Sequence, residues 1–163
     1  MVDVVDKATR SRMMSGIRAR DTKPERILRK ALFGRGFRYR LHNGHLPGRP
    51  DIVLVKHKAV VFVNGCFWHG HGCYLFKWPK SHATFWSKKI RGNRLKDRKV
   101  LRKLEKLNWR VAVVWECVLK GRHARSVDIL AERLDRWLYS RRKFIEIDGK
   151  SPLATKHQRH VHG

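Results

Sequence analysis

The spacing of hydrophobic positions predicts that the chain begins its ordered part with an amphipathic helix. Four apolar residues recur at helical spacing and form one face: Ile27, Leu28, Ala31 and Leu32. Thr22 suits the N-cap of this helix, and Glu25 stands three residues later, as in a capping box. Gly34 then ends the periodic pattern, so we predict a helix of about three turns.

Three short apolar runs predict strands. They are Ile52–Val55, Ala59–Val63 and Arg110–Glu116. The first two are separated only by residues 56–58 and predict a buried β-hairpin. The third run is apolar on both faces, which is typical of a central strand in a sheet covered on both sides.

Two more segments have helical patterns, and together the elements predict the fold class. Residues 84–107 are basic and predict a helix that is broken or bent near Gly92, whereas Ser126–Tyr139 predicts a second amphipathic helix. The order of elements indicates an α/β sandwich, with a small mixed sheet flanked by helices. We divide the chain into an N-terminal arm or helix (1–21), a single domain (22–142) and a loosely ordered C-terminal tail (143–163).

Charge changes this picture by indicating the kind of partner. The 163 residues include 39 Lys and Arg but only 13 Asp and Glu, which gives a formal net charge of +26. A hydrophobic fraction of 42% indicates a folded domain and not a disordered basic tail. Such a surface favours a polyanion, and nucleic acid is the partner that we expect. No apolar run approaches the length of a membrane span and no signal-peptide core is present, so we expect a location in the cytoplasm or bacterial nucleoid.

The most unusual segment is residues 63–73, which read V-N-G-C-F-W-H-G-H-G-C. Three cysteines in the chain argue against a disulfide framework and favour metal ligation. A Cys3His set is typical of structural zinc, and the candidates are Cys66, His71, Cys73 and Cys117. His69 competes with His71 for the fourth position. The alternative is that these are ordinary buried thiols and surface histidines.

A second candidate metal site precedes the hairpin. Asp51 follows a Gly-Pro loop and comes directly before a strand, where its carboxylate suits a hard cation. The main-chain carbonyl near Val63 reaches the same edge if the hairpin pairs in register, so these two groups predict a Mg²⁺ site. The alternative is an ordinary aspartate in a turn.

A histidine that zinc does not need suits general-base chemistry. His69 is such a residue, although it equally fits a packing role. Asp97 is a candidate to orient its ring, but a local surface ion pair is the commoner explanation for an acid in a basic helix. Glu25 is similarly ambiguous because it fits the capping box.

Aromatic residues next to these candidates predict contacts with bases. Phe67 and Trp68 lie in the cysteine-histidine loop and Trp86 opens the basic helical segment, whereas Trp109, Trp115 and Trp137 are expected in the core. Exposed rings wedge between base pairs or stack on bases. The basic residues between Lys80 and Lys106 are expected to follow phosphates, the alternative being a solvated helix face.

Six short motifs together resemble the very short patch repair (Vsr) mismatch endonucleases. They are D-K-A-T-R-S (6–11), P-G-R-P-D (47–51), G-C-F-W-H-x-H-x-C-Y (65–74), F-W-x-x-K-I (85–90), W-R-V (109–111) and V-W-E-C (114–117). The resemblance covers about residues 3–140 with nearly constant spacing. It implies a restriction-endonuclease-like fold and a Mg²⁺-dependent nick in double-stranded DNA, on the 5′ side of the thymine in a T·G mismatch. Such mismatches arise when 5-methylcytosine deaminates.

The resemblance also implies roles for individual residues. Asp51 would be the magnesium carboxylate, with the Val63 carbonyl as a further ligand, and His69 would be the base that activates water. Asp97 would support His69, and Glu25 would bind metal-coordinated water. The structural zinc ligands would be Cys66, His71, Cys73 and Cys117.

The implied DNA contacts come from three parts of the chain. Phe67, Trp68 and Trp86 would enter the base stack beside the mismatch, and Met14 would press from the minor groove. Lys89 and Asn93 are expected to contact DNA as well.

Two positions depart from the family pattern. A well-known member has Thr where this chain has Val63 and His where it has Asn64. A main-chain carbonyl does not depend on the side chain, so Val63 should serve. Asn64 can hydrogen-bond to metal-bound water but cannot take a proton, so the rate and pH dependence of the reaction are the properties we expect to differ.

Two other functions share part of this pattern. A non-catalytic zinc-containing nucleic-acid-binding protein needs the charge, the zinc site and the aromatics, but not Asp51 or a free His69. A restriction-type nuclease would use the same groups on matched DNA and cut both strands. Nicking needs only one active site, so we expect a monomer.

Overall fold

A five-stranded mixed sheet forms the centre of the structure, a computed structural model that describes residues 21–122 and 124–150. Met14 and the rest of the predicted N-terminal arm up to residue 20 lie outside the described residues, as does the chain beyond residue 150. The strands are β1 (Arg40–Leu41), β2 (Ile52–Leu54), β3 (Ala59–Asn64), β4 (Arg110–Trp115) and β5 (Phe144–Ile147), in the spatial order β1-β2-β3-β4-β5.

The direction of the strands brings the cysteine-histidine loop close to the segment that contains Cys117. β1 pairs antiparallel with β2, and β2 pairs antiparallel with β3. β4 then pairs in parallel with β3, and β5 pairs in parallel with β4. In the register of β3 with β4, Val63 lies opposite Val114 and Asn64 opposite Trp115. The cysteine-histidine loop that follows β3 and the segment with Cys117 that follows β4 therefore start at the same edge of the sheet.

Helices cover both faces of the sheet. They are α1 (Lys23–Gly34), α2 (Ala83–Lys106), α3 (Glu116–Leu119) and α4 (Val127–Leu138). Leu28 and Leu32 of α1 and Leu134 of α4 belong to the core on one face, and Leu104 of α2 belongs to the core on the other. The structure thus confirms a mixed α/β fold with a central sheet flanked by helices.

The predicted break near Gly92 is wrong, because α2 is continuous over 24 residues. A glycine inside a helix costs about 1 kcal/mol relative to alanine. Ile90 and Leu104 of α2 are fully buried, and burying a leucine or isoleucine side chain contributes about 1.5–3 kcal/mol. Packing therefore outweighs the local preference of Gly92.

β5 lies in a segment that the sequence analysis assigned to the C-terminal tail. It pairs in parallel with β4, and its alternate residues Ile145 and Ile147 are buried in the core. The guanidinium of Arg110 donates to the carbonyl of Leu138 at the end of α4 and to that of Arg142 on the chain leading to β5. The ordered fold therefore extends through β5.

Candidate active site and metal centre

An open cleft at this edge of the sheet brings together residues that are far apart in the sequence. It has a volume of about 770 Å³. Its lining includes five of the candidate site residues: Asp51, Val63, Asn64, His69 and Asp97. They come from the start of β2, the end of β3, the cysteine-histidine loop and α2, so only the folded chain assembles this set.

Asp51 is a poorly hydrated carboxylate in this cleft. Its Oδ2 accepts a hydrogen bond of 2.7 Å from the amide N–H of Val63. Burial raises the pKa of Asp51 to about 6, the negative charge of Glu25 adds to this effect, and the Val63 hydrogen bond opposes it. A carboxylate in this environment gains more than an exposed one from a bound cation, so its surroundings fit a Mg²⁺ ligand. The ligand role of Asp51 and of the Val63 carbonyl stays a prediction.

His69 and Asp97 form a close pair across the cleft. His69 Nδ1 lies 2.6 Å from Asp97 Oδ2, and both side chains are partly exposed. A carboxylate on Nδ1 fixes the ring so that Nε2 is the nitrogen left to accept a proton. Of the two alternatives for Asp97, orientation of His69 or a local ion pair in its own helix, the contact with His69 is the one present in the structure.

Helix α2 also holds the backbone of the loop that carries His69. Asn93 Nδ2 donates to the carbonyl of Trp68 at 2.8 Å, and the Arg94 guanidinium donates to the carbonyl of Gly70. Gly70 has a φ of +60°, and a Cβ atom there would lie 2.6 Å from both Arg94 Nε and Ile90 Cγ2. Only glycine therefore fits between the loop and the helix.

Replacing Gly70 with Ala is expected to lower both stability and the nicking activity that the resemblance implies. The left-handed backbone costs a non-glycine residue about 1–2 kcal/mol, and the displaced Arg94 adds to this loss. We expect a total of ~2–3 kcal/mol in chemical denaturation, with a clear fall in the nicking rate because His69 precedes the strained position. Gly72→Ala is the matched control, since a Cβ there meets nothing within 4 Å. Equal behaviour of the two variants would contradict this account.

Glu25 is almost fully buried behind Asp51. Its Oε1 lies 3.0 Å from His42 Nε2 and 3.2 Å from Arg29 Nη1, and Asp21 joins the group 2.8 Å from the same Arg29 nitrogen. The amide of Glu25 does donate to Thr22 Oγ1, as a capping arrangement requires, but its carboxylate accepts a hydrogen bond from Arg29 and lies close to His42. The capping box is thus only half formed, and the carboxylate belongs to a charged cluster next to the cleft.

His42 and Arg29 are residues that the sequence analysis missed. His42 also lines the cleft, and both side chains contact the buried Glu25. Asp21, Glu25 and His42 lie close enough together to hold a cation, but the Arg29 guanidinium already supplies a positive charge there. The i,i+4 spacing of Glu25 and Arg29 on α1 is a sequence signal for their contact, whereas no motif or spacing connects His42 with either of them.

The four predicted zinc ligands form one cluster. One ligand atom from each of them lies within 4.8 Å of the other three: Cys66, His71, Cys73 and Cys117. Burial raises the pKa of the Cys66 and Cys117 thiols, so both groups become thiolates only if a cation compensates. Three thiols and one imidazole are the donor set that structural zinc prefers, and the cluster therefore fits Zn²⁺. His69 is directed to Asp97 and not to this cluster.

The aromatic residues of the loop form a group with α2 outside the core. Phe67 lies 5.2 Å from Trp68 and 5.3 Å from Trp86 between ring centroids, and all three side chains are partly exposed. Trp78 and Phe85, which were not among the predicted residues, are 53% and 48% exposed. Phe85 contacts Trp86, and Trp78 joins the group through Phe76. Five rings on one surface provide area for stacking on bases.

A second cleft of about 760 Å³ adjoins the first. Asn64 and His69 line both clefts. Lys23, Lys89 and Asn93 line only the second one, which thus has a positive rim next to the catalytic candidates.

Within the described ranges, no helix is long and apolar enough to cross a membrane.

Known proteins resemble this chain over most of its length. A family model described as DNA mismatch endonuclease Vsr matches residues 2–75. A relative named DNA mismatch endonuclease Vsr, from Escherichia coli (strain K12), is 45% identical over 91% of this chain and 95% of its own length. The type II nicking enzyme V.XorIIP of Xanthomonas oryzae is 45% identical over 73% of this chain and 88% of the relative. The type II nicking enzyme V.NmeAIP of Neisseria meningitidis is 46% identical over 83% and 94%.

Proposed function

This chain belongs to the Vsr family of DNA mismatch endonucleases, and from this premise we propose that it nicks double-stranded DNA on the 5′ side of the thymine in a T·G mismatch. We propose Mg²⁺ as the catalytic cofactor and Zn²⁺ as a structural one. The observation that carries the proposal is the shared cleft, in which Asp51 and the His69–Asp97 pair lie at one edge of the sheet. That the chain is a mismatch-nicking endonuclease follows from its relatives, while the T·G preference and the metals are the proposal.

The residues of the cleft have separate tasks in this mechanism. Asp51 and the Val63 carbonyl would hold Mg²⁺, which when bound polarises the scissile phosphate and offsets the charge of the transition state. His69 takes a proton from the attacking water through Nε2, while Asp97 keeps the ring in the tautomer that leaves this nitrogen free. Glu25 and Asn64 orient water by hydrogen bonds. Asn64 cannot take up a proton, so His69 alone serves as the base.

Mismatch selectivity arises from the cost of opening the base stack. Phe67, Trp68 and Trp86 insert beside the T·G pair, and Met14 presses from the minor groove. A wobble pair is shifted and weakly stacked, so insertion costs least at that step. Lys89 and Asn93 contact the DNA from the second cleft. The excess of basic residues holds the duplex through its phosphates.

A nicking assay on a panel of duplexes tests this function. Labelled duplexes with a T·G pair, each other mismatch or a matched pair are incubated with the protein and Mg²⁺. We expect one nick, in the thymine strand of the T·G duplex, and at least a hundredfold slower reaction on matched DNA, which corresponds to a barrier about 3 kcal/mol higher. Double-strand cleavage of the matched duplex would instead establish a restriction-type nuclease. Absence of any Mg²⁺-dependent cut would refute the proposed chemistry.

We also propose that the protein works as a monomer on DNA of the bacterial cytoplasm. One cleft contains one Asp51 and one His69–Asp97 pair, which suffices to cut one strand.

A further inference from the structure

The chain that leaves β5 passes directly beside the predicted zinc ligands. Asp148 Oδ2 lies 3.2 Å from His71 Nε2, and the amide N–H of Gly149 donates to Cys117 Sγ at 3.4 Å. The Lys150 ammonium donates to the carbonyl of Gly72, on the same loop as His71. Asp148 and Gly149 therefore contact two of the four candidate ligands, and Lys150 contacts the loop between His71 and Cys73.

The distances distinguish the two nitrogens of His71. Its Nδ1 lies 3.7 Å from Cys117 Sγ. Ligand bonds of about 2.3 Å to sulfur and about 2.0 Å to nitrogen at a tetrahedral angle place S and N about 3.5 Å apart. Nδ1 is thus at the separation that a shared zinc ion requires, while Nε2 points to Asp148.

Packing and burial keep this arrangement in place. The His71 ring is stacked on Trp115 with centroids 4.2 Å apart and planes 8° from parallel, and the Trp115 indole N–H donates to Glu146 Oε1 at 2.6 Å. Glu146 lies in β5, and Asp148 directly follows the end of that strand. The side chains of His71 and Asp148 are only 11% and 19% exposed, which shields their contact from water.

We propose that Asp148 is a positioning residue of the metal centre: its carboxylate accepts the Nε2–H of His71, selects the tautomer that leaves Nδ1 free for Zn²⁺, and makes this nitrogen a stronger ligand. Carboxylates that hold a metal-binding histidine in this way change metal affinity by 10–100-fold. The inference rests on the zinc site of the proposed function. It assigns β5 and the residues after it a part in metal binding.

Zinc affinity of the full chain tests the inference. Asp148→Ala and Asp148→Asn are compared with Glu132→Ala, an exposed acid whose partner is Arg136 on the surface of α4. Competition with a chromogenic chelator measures affinity, and chemical denaturation compares the metal-free proteins. We expect Asp148→Ala to bind zinc 10–100-fold more weakly and Asp148→Asn to show a smaller loss, since its amide oxygen still accepts the hydrogen bond. Glu132→Ala should match the wild type in zinc affinity, and all the metal-free variants should be folded under the assay conditions.

A second background separates orientation of His71 from a general structural effect. His71→Cys keeps a four-ligand set but removes the imidazole, so adding Asp148→Ala to it should leave zinc affinity unchanged. Wild-type affinity in both Asp148 variants, or the same loss in the His71→Cys background, would overturn the inference. If the wild type itself bound no stoichiometric zinc, the metal centre of the proposed function would fail and the role of Asp148 with it.

Discussion

Asp51→Asn is expected to lower the nicking rate about a thousandfold or more while affinity for a T·G duplex changes little. The amide keeps the shape of the side chain and still accepts the hydrogen bond from Val63, but it removes the charge that would hold Mg²⁺. A thousandfold loss corresponds to about 4 kcal/mol of transition-state stabilisation. Single-turnover nicking and equilibrium binding, measured with excess protein, separate the two effects. Asp128→Asn, an exposed acid in the first turn of α4, is the control.

Although Asp51→Asn should lower the nicking rate, it should raise the stability of the metal-free protein. Burial raises the pKa of Asp51 to about 6 in the folded state, whereas its pKa in the unfolded state is near 3.8. The folded state therefore binds a proton at this carboxylate more tightly than the unfolded state. Stability therefore falls as pH rises from about 4 to 6 and stays lower above that range. Asp51→Asn should be more stable than the wild type at pH 8, and the difference should vanish near pH 4. Undiminished nicking by this variant, or no pH-dependent difference in stability, would contradict the picture of Asp51.

The second large effect is expected from removal of a zinc ligand. Cys117→Ala should lose stoichiometric zinc and lower the melting temperature by about 10 °C or more, because Cys117 connects α3 to the cysteine-histidine loop. Treatment of the wild type with a strong chelator should reproduce this shift and abolish nicking, since the loop also carries His69. Metal analysis and thermal unfolding with and without chelator check both results.

The neighbouring residue provides the control for this experiment. Val118 is fully buried in the core on the other face of the sheet. Val118→Ala should lower stability through the cavity it leaves, but chelation should lower its melting temperature further by the same amount as in the wild type. A chelator-treated wild type that is shown to be metal-free and yet melts at an unchanged temperature would refute a structural metal.

The elements with strong periodic patterns were predictable from the sequence. The helix that starts after Thr22, the hairpin of β2 and β3, and the central strand β4 all lie where their apolar spacing placed them. β1 has two exposed residues, and β5 has four residues that follow a run of basic ones. Neither is long enough for its apolar spacing to predict a strand. Their strand conformation comes from pairing with β2 and β4, which no local signal encodes.

Part of the candidate site was likewise predictable from the sequence, and part of it was not. Cys66, His71 and Cys73 are close in sequence, and with the distant Cys117 they were predicted as one set of zinc ligands. The structure brings all four together, with Cys117 supplied by α3 directly after β4. The sequence left open which histidine joins this cluster, and the contact of His69 with Asp97 distinguishes them. The roles of these residues stay predictions for the experiments above.

Other contacts had no sequence signal because they join distant segments. His42 reaches Glu25 across the space between α1 and β1, and Asp148 reaches His71 from a segment 77 positions away. Pairs of this kind depend on tertiary packing alone.

The parallel pairing of β5 with β4 has a consequence for biosynthesis. A nascent chain that has emerged from the ribosome only through Cys117 contains every candidate zinc ligand, but not the strand that packs against the edge of β4 or the carboxylate that faces His71. Translation therefore delivers the cysteine-histidine loop well before the last part of its support. An unfinished or truncated polypeptide that lacks β5 would carry a loosely held nuclease centre and be an early target for cellular proteases.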